Sequence, residues 1–307
     1  MDLRQLKYFV CIVEAGSISR ASLSLHVAQP ALSKQLNQLE EELGAQLLAR
    51  SVRGVTPTHA GLAVYRHAQA VLKQVAATSS IAAQASGSVV GTVSIGLPWT
   101  ISSMLGVSLL REVHASLSAV RIEITEGPSS SLSQALSQGK LDLAVVFCAG
   151  PHAALRLTPL ATESLRLVGA AGSLGKHAPY SLDAVAELPL LLMSRPNGIR
   201  EQIEYLWASR GIQPNIVAEI NAGELLIEAV KAGVGFGILP SCAIHRSRLA
   251  EAIDVMDLSD DAPRRTVYLA TAMLFPISPA TQRVYDILEG LLRRAVEDGR
   301  WEANLVD

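Results

Sequence analysis

The sequence has few charged residues and almost no excess of either sign. Lys and Arg total 26 against 28 Asp and Glu among 307 residues, so the formal net charge is -2. This balance does not indicate a polyanionic partner for the chain as a whole. Hydrophobic residues make up 49% and charged residues 18%, which excludes the polar, highly charged composition of a disordered chain. We expect a globular protein.

Cysteine is also scarce, and the three residues present, Cys11, Cys148 and Cys242, form no CxxC pair. An odd number of scattered cysteines suits reduced thiols in a cytosol. The residues after Met1 contain no apolar signal core, and no run approaches the roughly 18 apolar residues of a membrane span. The sequence therefore predicts a cytoplasmic protein without a membrane segment.

Motifs of catalysis are missing as well. The sequence has no HExxH, GxSxG, P-loop or dinucleotide fingerprint, and its seven histidines are dispersed without metal-ligand spacing. We therefore expect no enzyme, no catalytic residue, no metal site and no cofactor. The length suggests about two domains of roughly 150 residues each, joined by a linker. Residues 1–66 hold seven Lys and Arg against five Asp and Glu, a slightly basic segment.

The first sixty residues predict three helices. Apolar residues recur at helical spacing over residues 3–13, and a second short helix follows over residues 18–25. Pro30 suits the first turn of a third helix, which Gly44 ends. Two short helices joined by a tight turn are typical of the helix-turn-helix that places its second helix in the DNA major groove.

The third helix carries polar groups near its start, namely Gln29, Ser33, Lys34 and Asn37. Glutamine can pair with an adenine edge and lysine with a guanine edge, so this face is equipped to read bases. From the spacing alone, an ordinary solvated helix face is an equally good interpretation. Two short extended pieces around a turn at residues 51–54 then predict a wing. Arg53 at its tip suits a narrow minor groove or a phosphate.

The DNA-binding region of the LysR family of bacterial transcriptional regulators resembles a long stretch of this chain, LKYFVCIVEAGSISRASLSLHVAQPALSKQLNQLEEELGAQLLARSVRGVTPTHAG. The DNA-contacting residues that this resemblance implies are Ser19, Gln29, Pro30, Ser33, Lys34, Arg50 and Arg53. Of these, Ser19 and Arg50 would contact the DNA backbone. Two positions depart from the family pattern. Lys34 stands where arginine is common, which weakens bidentate guanine recognition, and Thr56-Pro57 replaces a frequent Arg-Leu.

A long helix is predicted from about residue 59, because no helix breaker occurs for more than twenty residues. Its apolar seam has the spacing of a coiled coil and comprises Leu62, Tyr65, Ala68, Leu72, Val75, Ser79 and Ala82. Thr58 is the expected N-cap. The seam can pack against a second copy or within the chain. In the LysR family the linker helix forms the dimer and the assembly is usually a tetramer, so the resemblance implies a homodimer or homotetramer on a pseudo-palindromic DNA site, with RNA polymerase as a further partner.

After Gly91 short apolar strands alternate with helices, which is typical of α/β architecture. The predicted strands are Thr92–Gly96, Val120–Thr125, Leu141–Phe147, Leu188–Ser194, Ile216–Ile220, Val234–Leu239 and Thr266–Ala270. Their order, and the motifs EGPSSSLSQALSQGKLDLAVV, LATESLRLV and IEAVKAGVGFGILP, resemble the effector domain of the LysR family. That domain has the two-lobed fold of periplasmic binding proteins.

Three parts are therefore expected. Residues 1–58 form an all-α winged helix-turn-helix domain, residues 59–88 a linker and dimerisation helix, and residues 89–307 an α/β effector-binding domain. Within the last part, the first lobe covers about 91–161 and 268–302, and the second covers about 162–267.

Ligands of open α/β sheets bind beyond the carboxyl ends of the strands. The candidate effector-binding residues at these places are Pro98, Trp99, Thr100, Ser129, Phe147, Arg195 and Asn197. Ser129 can cap a helix or face the cleft, and Arg195 can meet a carboxylate across the cleft or be an ordinary surface arginine. A small carboxylate or another polar metabolite is the preferred effector class, although Trp99 also suits an aromatic ligand. We expect the effector to change the angle between the lobes, and the linker helices to convert that change into a new DNA spacing or bend.

Three other functions compete with this interpretation. An enzyme lacks the motifs named above. A small-molecule binding protein of a transport system has no use for a helix-turn-helix. A redox-responsive regulator would depend on Cys148 and Cys242, whose separation in sequence does not settle whether they are close in space.

Overall fold

The computed structural model describes residues 1–51, 54–85, 89–147, 153–175, 179–244, 252–259 and 263–306. The chain begins with three helices, α1 (Leu3–Ala15), α2 (Ile18–Leu25) and α3 (Gln29–Leu43). Ser17 caps α2, since its side chain accepts a hydrogen bond from the Arg20 N–H. The buried faces of the three helices form one core around Phe9, Leu32 and Leu39, so the predicted helices pack as one unit.

A two-stranded antiparallel hairpin follows, made of β1 (Leu48–Ser51) and β2 (Gly54–Pro57). Its start is fixed by Glu40 of α3, whose Oε1 accepts hydrogen bonds from the N–H groups of Leu47 at 2.7 Å and Leu48 at 3.1 Å. This is the predicted wing. Its tip, with Arg53, lies outside the described residues.

The long helix α4 (His59–Ala85) begins directly after the hairpin. Thr58 caps it as predicted, with Oγ1 accepting from the Gly61 N–H at 2.9 Å. A Cβ on Gly61 would overlap the carbonyl oxygen of Leu47. The close approach of helix and hairpin therefore requires glycine at this position.

The apolar seam of α4 divides between two environments. Tyr65 and Ala68 are buried in the core of the N-terminal helices, and Tyr65 and Gln69 hydrogen-bond to Glu14 of α1. Leu62 and Val75 are 39% and 47% exposed. Part of the seam thus packs within the chain, and part stays on the surface. The side chains of Ser79 and Ala82 lie outside the described part of the chain.

The C-terminal half is a mixed sheet with helices on its faces. Its strands are β3 (Gly91–Leu97), β4 (Val120–Glu126), β5 (Leu143–Phe147), β6 (Leu155–Ala170), β7 (Leu190–Met193), β8 (Ile216–Ile220), β9 (Phe236–Pro240), β10 (Ile253–Asp257), β11 (Arg264–Ala272) and β12 (Asn304–Leu305). Its helices are α5 (Trp99–Ser116), α6 (Ser129–Ser137), α7 (Leu182–Ala186), α8 (Gly198–Ser209), α9 (Gly223–Lys231) and α10 (Pro279–Glu297), with a 3-10 turn at Ser241–Ala243.

Strand β6 joins two lobes. The strand order is β4-β3-β5-β11-β6-β9-β7-β8, with β10 and β12 also on β6. In the first lobe β3 runs parallel to β4 and β5, and β11 lies antiparallel between β5 and β6. In the second lobe β9 pairs antiparallel with the later part of β6 and parallel with β7, which pairs parallel with β8. The two lobes therefore meet along β6 and β11.

All seven predicted strands are present, but β6, β10 and β12 were not predicted. Strand β6 has 16 residues and contains Pro159, which has no N–H to give to a ladder. Its pairing with β11 is irregular at this point, because the register shifts between Val267 and Tyr268. Such a strand lacks the short apolar run from which the other strands were predicted.

Helix α4 also docks on the first lobe. Ala70 joins the apolar cluster beneath α6. The Lys73 ammonium lies 2.7 Å from Asp142 Oδ1 and 5.2 Å from the centre of the Phe275 ring, and donates to the carbonyl of Gly139 at 3.2 Å. One helix therefore contacts both the N-terminal helices and the first lobe. No described helix combines the length and the hydropathy that a membrane crossing needs.

Candidate functional site

The first turns of α3 present a polar surface. Gln29, Pro30 and Lys34 are exposed and Ser33 is half-buried, whereas Leu32 on the opposite side of the helix is fully buried. The predicted base-reading residues therefore share the solvent face of one helix. An α-helix with this polar edge has the dimensions to enter a B-DNA major groove.

Two side-chain contacts organise this surface. The Ser19 hydroxyl of α2 donates to Gln29 Oε1 at 3.2 Å, which ties the turn between the helices to the start of α3. Arg50 on β1 donates from Nη2 to Asn37 Oδ1 at 3.0 Å. Arg50 was predicted to contact the DNA backbone, and in the structure this hydrogen bond joins it to α3. The hairpin and the helix therefore present one continuous surface.

The N-terminus of α3 has no side-chain cap. Its N-cap residue is Ala28, and a proline occupies its first turn. Helix N-termini carry a partial positive charge and favour phosphate groups. This end of α3 is therefore suited to approach a nucleic-acid backbone.

The second candidate region is the cleft between the lobes. Helices α5 and α6 follow the carboxyl ends of β3 and β4, and both have a proline N-cap, Pro98 and Pro128, without a side-chain cap. Trp99 at the start of α5 packs against the apolar cluster of the second lobe. A Cβ on Gly223 of α9 would lie 2.5 Å from the Trp99 ring. Trp99 therefore reaches across the cleft and needs glycine opposite it.

Ser129 does not cap α6. It is the first residue of that helix, and its Oγ accepts a hydrogen bond from the N–H of Phe147 at 2.9 Å. The capping expectation is wrong, because the cap position falls one residue earlier, on Pro128. The contact joins the start of α6 to the end of β5 and leaves the hydroxyl hydrogen of Ser129 available as a donor.

A buried ion pair lies where the lobes meet. Glu163 on β6 and Arg265 on β11 are cross-strand partners, and Arg265 Nε donates to Glu163 Oε1 at 2.6 Å. Glu163 Oε2 also accepts from the Trp301 indole, the Cys242 N–H and the Ser241 hydroxyl, at 2.9, 2.9 and 3.0 Å. Burial alone would raise the pKa of Glu163, but Arg265 and these hydrogen bonds hold the pKa below its usual value.

The guanidinium of Arg265 is held from three sides. Its central carbon lies 3.5 Å from the centre of the Phe147 ring, a stacked arrangement. Nη2 contacts Cys242 Sγ at 3.1 Å and Thr100 Oγ1 at 3.5 Å. Two predicted cleft residues, Thr100 and Phe147, therefore converge on an arginine that the sequence interpretation did not select.

The two predicted cleft residues of the second lobe, Arg195 and Asn197, form hydrogen bonds within that lobe. Arg195 is exposed and donates from Nε and Nη2 to Glu204 Oε2 at 3.0 and 2.6 Å. Asn197 caps α8 by accepting from the Arg200 N–H at 3.1 Å. Arg195 therefore pairs with a carboxylate of its own lobe, Glu204, and not with one across the cleft.

The cysteine pair of the redox alternative is only partly described, since Cys148 lies outside the described residues. Cys242 is 3% exposed. Burial, followed by the charge of Glu163, raises the pKa of its thiol to about 12. A thiol in this state is poorly nucleophilic at neutral pH.

Sequence reasoning missed Glu163 and Arg265. No distinctive local signal existed, because Glu163 lies between Thr162 and Ser164, and Arg265 directly follows Arg264. Their partnership depends on the pairing of β6 with β11 across 102 positions in the sequence. Nothing in either segment alone specifies that pairing.

Comparisons with known proteins agree on one family. The family described as "Bacterial regulatory helix-turn-helix protein, lysR family" matches residues 3–62, and "LysR substrate binding domain" matches residues 86–293. The nitrogen assimilation regulatory protein nac of Klebsiella aerogenes is 36% identical over 301 residues, which are 98% of each chain. The dual regulator OxyR of Escherichia coli is 28% identical over 98% of each chain. A solved full-length OxyR variant of Pseudomonas aeruginosa superposes with a TM-score of 0.73 at 25% identity, covering 95% of each chain.

Proposed function

Since the chain belongs to the LysR family of DNA-binding transcriptional regulators, we propose that α3 lies in the major groove of its operator. Gln29, Pro30, Ser33 and Lys34 then face the base edges. The observation that supports this is the solvent-exposed polar edge of α3, which Ser19 and Arg50 border through hydrogen bonds. Glutamine and serine at this edge can form hydrogen bonds with bases, and Lys34 can reach a guanine or a phosphate.

Backbone contacts would fix the position of this helix on DNA. We assign them to Ser19, to Arg50 and to Arg53 of the wing. Arg50 is exposed and is oriented by Asn37, which lowers the entropy it loses on meeting a phosphate. These contacts carry affinity and salt dependence, but little sequence information.

The proposal includes an assembly of two or four copies. Leu62 and Val75 stay exposed on α4, and a second copy of this helix would cover them and present a second α3 to a pseudo-palindromic site. We propose the division into residues 1–58, 59–88 and 89–307 for DNA binding, dimerisation and effector binding. RNA polymerase in the cytoplasm is the proposed further partner, and the role is regulatory rather than catalytic.

We also propose that a small-molecule effector binds between the lobes, near Pro98, Trp99, Thr100, Ser129 and Phe147. The support is the convergence of these residues from the ends of β3, β4 and β5 toward the place where the lobes meet. Because Trp99 packs against the second lobe, an effector there would change how the lobes contact each other. Helix α4, docked on the first lobe through Lys73, would carry that change toward the DNA.

Operator binding is tested by fluorescence anisotropy with the DNA upstream of the coding sequence. Gln29→Ala and Ser33→Ala should each weaken specific binding about tenfold or more, since one good base contact is worth about 1–3 kcal/mol. Gln38→Ala, further along the same helix, is the matched control and should stay within about twofold. Unchanged affinity in both α3 variants would overturn the assignment.

Footprinting of the operator with and without candidate small-molecule effectors tests the effector role of the cleft. A footprint that no ligand of the cleft alters would refute that role.

A further inference from the structure

Arg265 has a hydrogen-bond donor that no residue in the described part of the chain accepts from. Its Nε donates to Glu163, and its Nη2 contacts Cys242 and Thr100. Nη1 donates to no residue in the described ranges, and it is not among the fully enclosed polar atoms that lack a partner. The side chain is only 7% exposed. Among the described residues, this nearly buried cation therefore has no acceptor for the two N–H groups of Nη1.

The position of this cation is the floor of the interlobe cleft. Thr100 and Phe147 hold it from the first lobe, and Cys242 holds it from the second. The Phe147 N–H donates to Ser129 Oγ, so a second group with a spare donor, the Ser129 hydroxyl, lies at the same strand end. The free Nη1 and this hydroxyl are thus on neighbouring elements at the carboxyl ends of the first-lobe strands.

The ion pair with Glu163 leaves Arg265 able to donate hydrogen bonds to a further anion. The carboxylate of Glu163 accepts hydrogen bonds from three further donors, Trp301, Cys242 and Ser241, which share its negative charge. Stacking on Phe147 and the Nε bond fix the plane of the guanidinium. An oxyanion would therefore meet a preorganised donor edge, and little side-chain entropy would be lost on binding.

Arg200 is saturated by comparison, and Arg195 is paired with a carboxylate of the second lobe. Arg200 donates from Nε to Glu204, from Nη1 to the Met193 carbonyl and from Nη2 to Glu219. Arg195 shares Glu204 with it. These two guanidinium groups lie within the second lobe, whereas Arg265 pairs with Glu163 where the lobes meet.

We propose that Arg265 is the specificity-determining residue of the cleft, and that it selects an effector with an oxyanion group. Nη1 donates to that group, with the Ser129 hydroxyl as a second donor. The group is a carboxylate of a small organic acid or an inorganic oxyanion, two sources with the same hydrogen-bonding chemistry. This inference rests on the proposed effector role of the cleft, and it moves the anion contact from Arg195 to Arg265.

The test uses the full-length protein, calorimetric titration and thermal shift. The probes are succinate and benzoate, their neutral counterparts succinamide and benzamide, and sulfate and phosphate. We expect at least one anion to bind and to raise Tm, while the matched amide binds at least tenfold more weakly. A response to sulfate or phosphate alone identifies an inorganic oxyanion, and a response to a carboxylate alone identifies an organic acid. Anions that do not stabilise the protein at 10 mM (roughly 100 times a Kd near 0.1 mM), or amides that bind equally well, would overturn the proposal.

Substitutions assign the contact. Arg265→Lys keeps a positive charge beside Glu163 but lacks the planar guanidinium and its Nη1 donor, and should weaken anion binding at least tenfold. Arg195→Lys, the matched control, should change binding less than twofold. If Arg265→Lys does not fold, the double variant Arg265→Gln with Glu163→Gln replaces the pair by neutral amides and serves the same comparison. Anion affinity that is kept in the variants of Arg265 and lost in Arg195→Lys contradicts the assignment.

Failure of this inference is distinguishable from failure of the proposed function. If an anion binds through Arg265 and leaves the DNA footprint unchanged, the contact is established and the effector role fails. If a neutral compound binds in the cleft and changes the footprint, the effector role holds and the oxyanion selectivity fails.

Discussion

The polar residues of α3 and those of the cleft differ in how the protein holds them. Gln29 and Lys34 lie exposed on one helix, and the hydrogen bond to Gln29 comes from the nearby Ser19. Glu163 and Arg265 are buried, are 102 positions apart in the sequence and share partners from both lobes. The DNA surface is therefore local and open, whereas the cleft floor depends on the pairing of distant strands.

This difference has an energetic consequence. A substitution on the exposed edge of α3 removes a contact with DNA while the protein core stays intact, so binding and stability can be separated there. A substitution at Glu163 or Arg265 leaves a buried charge without its partner, which is strongly destabilising. Function and stability are coupled in the cleft.

The largest expected effect is on stability at Glu163. Glu163→Ala should lower the free energy of unfolding by about 3–5 kcal/mol, since it leaves Arg265 buried and unpaired. Chemical denaturation followed by circular dichroism measures this value. The control is Glu289→Ala, which breaks the more exposed pair with Arg293 on α10 and should cost at most about 0.5 kcal/mol. Equal costs would show that the cleft floor is no more coupled to stability than the surface.

The pH dependence of unfolding sharpens the same point. The pKa of Glu163 is lowered in the folded protein, so its contribution is present above the pKa of the unfolded state and is lost as the pH falls through the lower, folded pKa. In Glu163→Ala this loss of stability at acid pH should be missing from the plot of the free energy of unfolding against pH. An acid limb identical to that of the wild type would contradict the ionised state of Glu163.

The two regions also differ in what the sequence could predict. Helix α2 was predicted over residues 18–25, where it lies, because helical spacing, a serine cap and a nearby glycine act within a few residues. The positions of Gln29 and Ser33 on one helix edge follow from the same periodicity. The ion pair of Glu163 with Arg265 did not follow, because it requires the register of β6 on β11, and a proline in β6 makes that register irregular.

A smaller effect is expected where α4 connects the two regions. Lys73→Met removes the ion pair with Asp142 and the contacts to Gly139 and Phe275. It should lower stability by about 1–2 kcal/mol, less than a fully buried charge because Lys73 is partly exposed. Hydrogen exchange at residues 139–142 should accelerate, and operator affinity should stay within about twofold because Lys73 is not on the α3 surface.

Lys140→Met is the matched control for this helix contact. Lys140 is exposed in the same loop, and its loss should change neither stability nor exchange. Equal effects of the two lysine substitutions would show that the contact of α4 with the first lobe is not specific to Lys73.

The smallest expected effect is the reactivity of Cys242. Because burial raises the pKa of its thiol to about 12, iodoacetamide at pH 8 should leave Cys242 unmodified in the folded protein, while the partly exposed Cys11 is alkylated. Peptide mass spectrometry before and after unfolding separates the two. Rapid alkylation of native Cys242 would revive the redox alternative.

The proposed function depends most on the contact of α3 with base edges, and a specificity profile tests this contact most directly. Affinities of the wild type, Gln29→Ala and Gln38→Ala are measured for the operator and for every single-base substitution within it. We predict that Gln29→Ala loses discrimination at one position of each half-site, whereas Gln38→Ala keeps the wild-type profile. A Gln29→Ala profile that is uniformly weaker, or the same as that of the wild type, would contradict the placement of α3 against the bases.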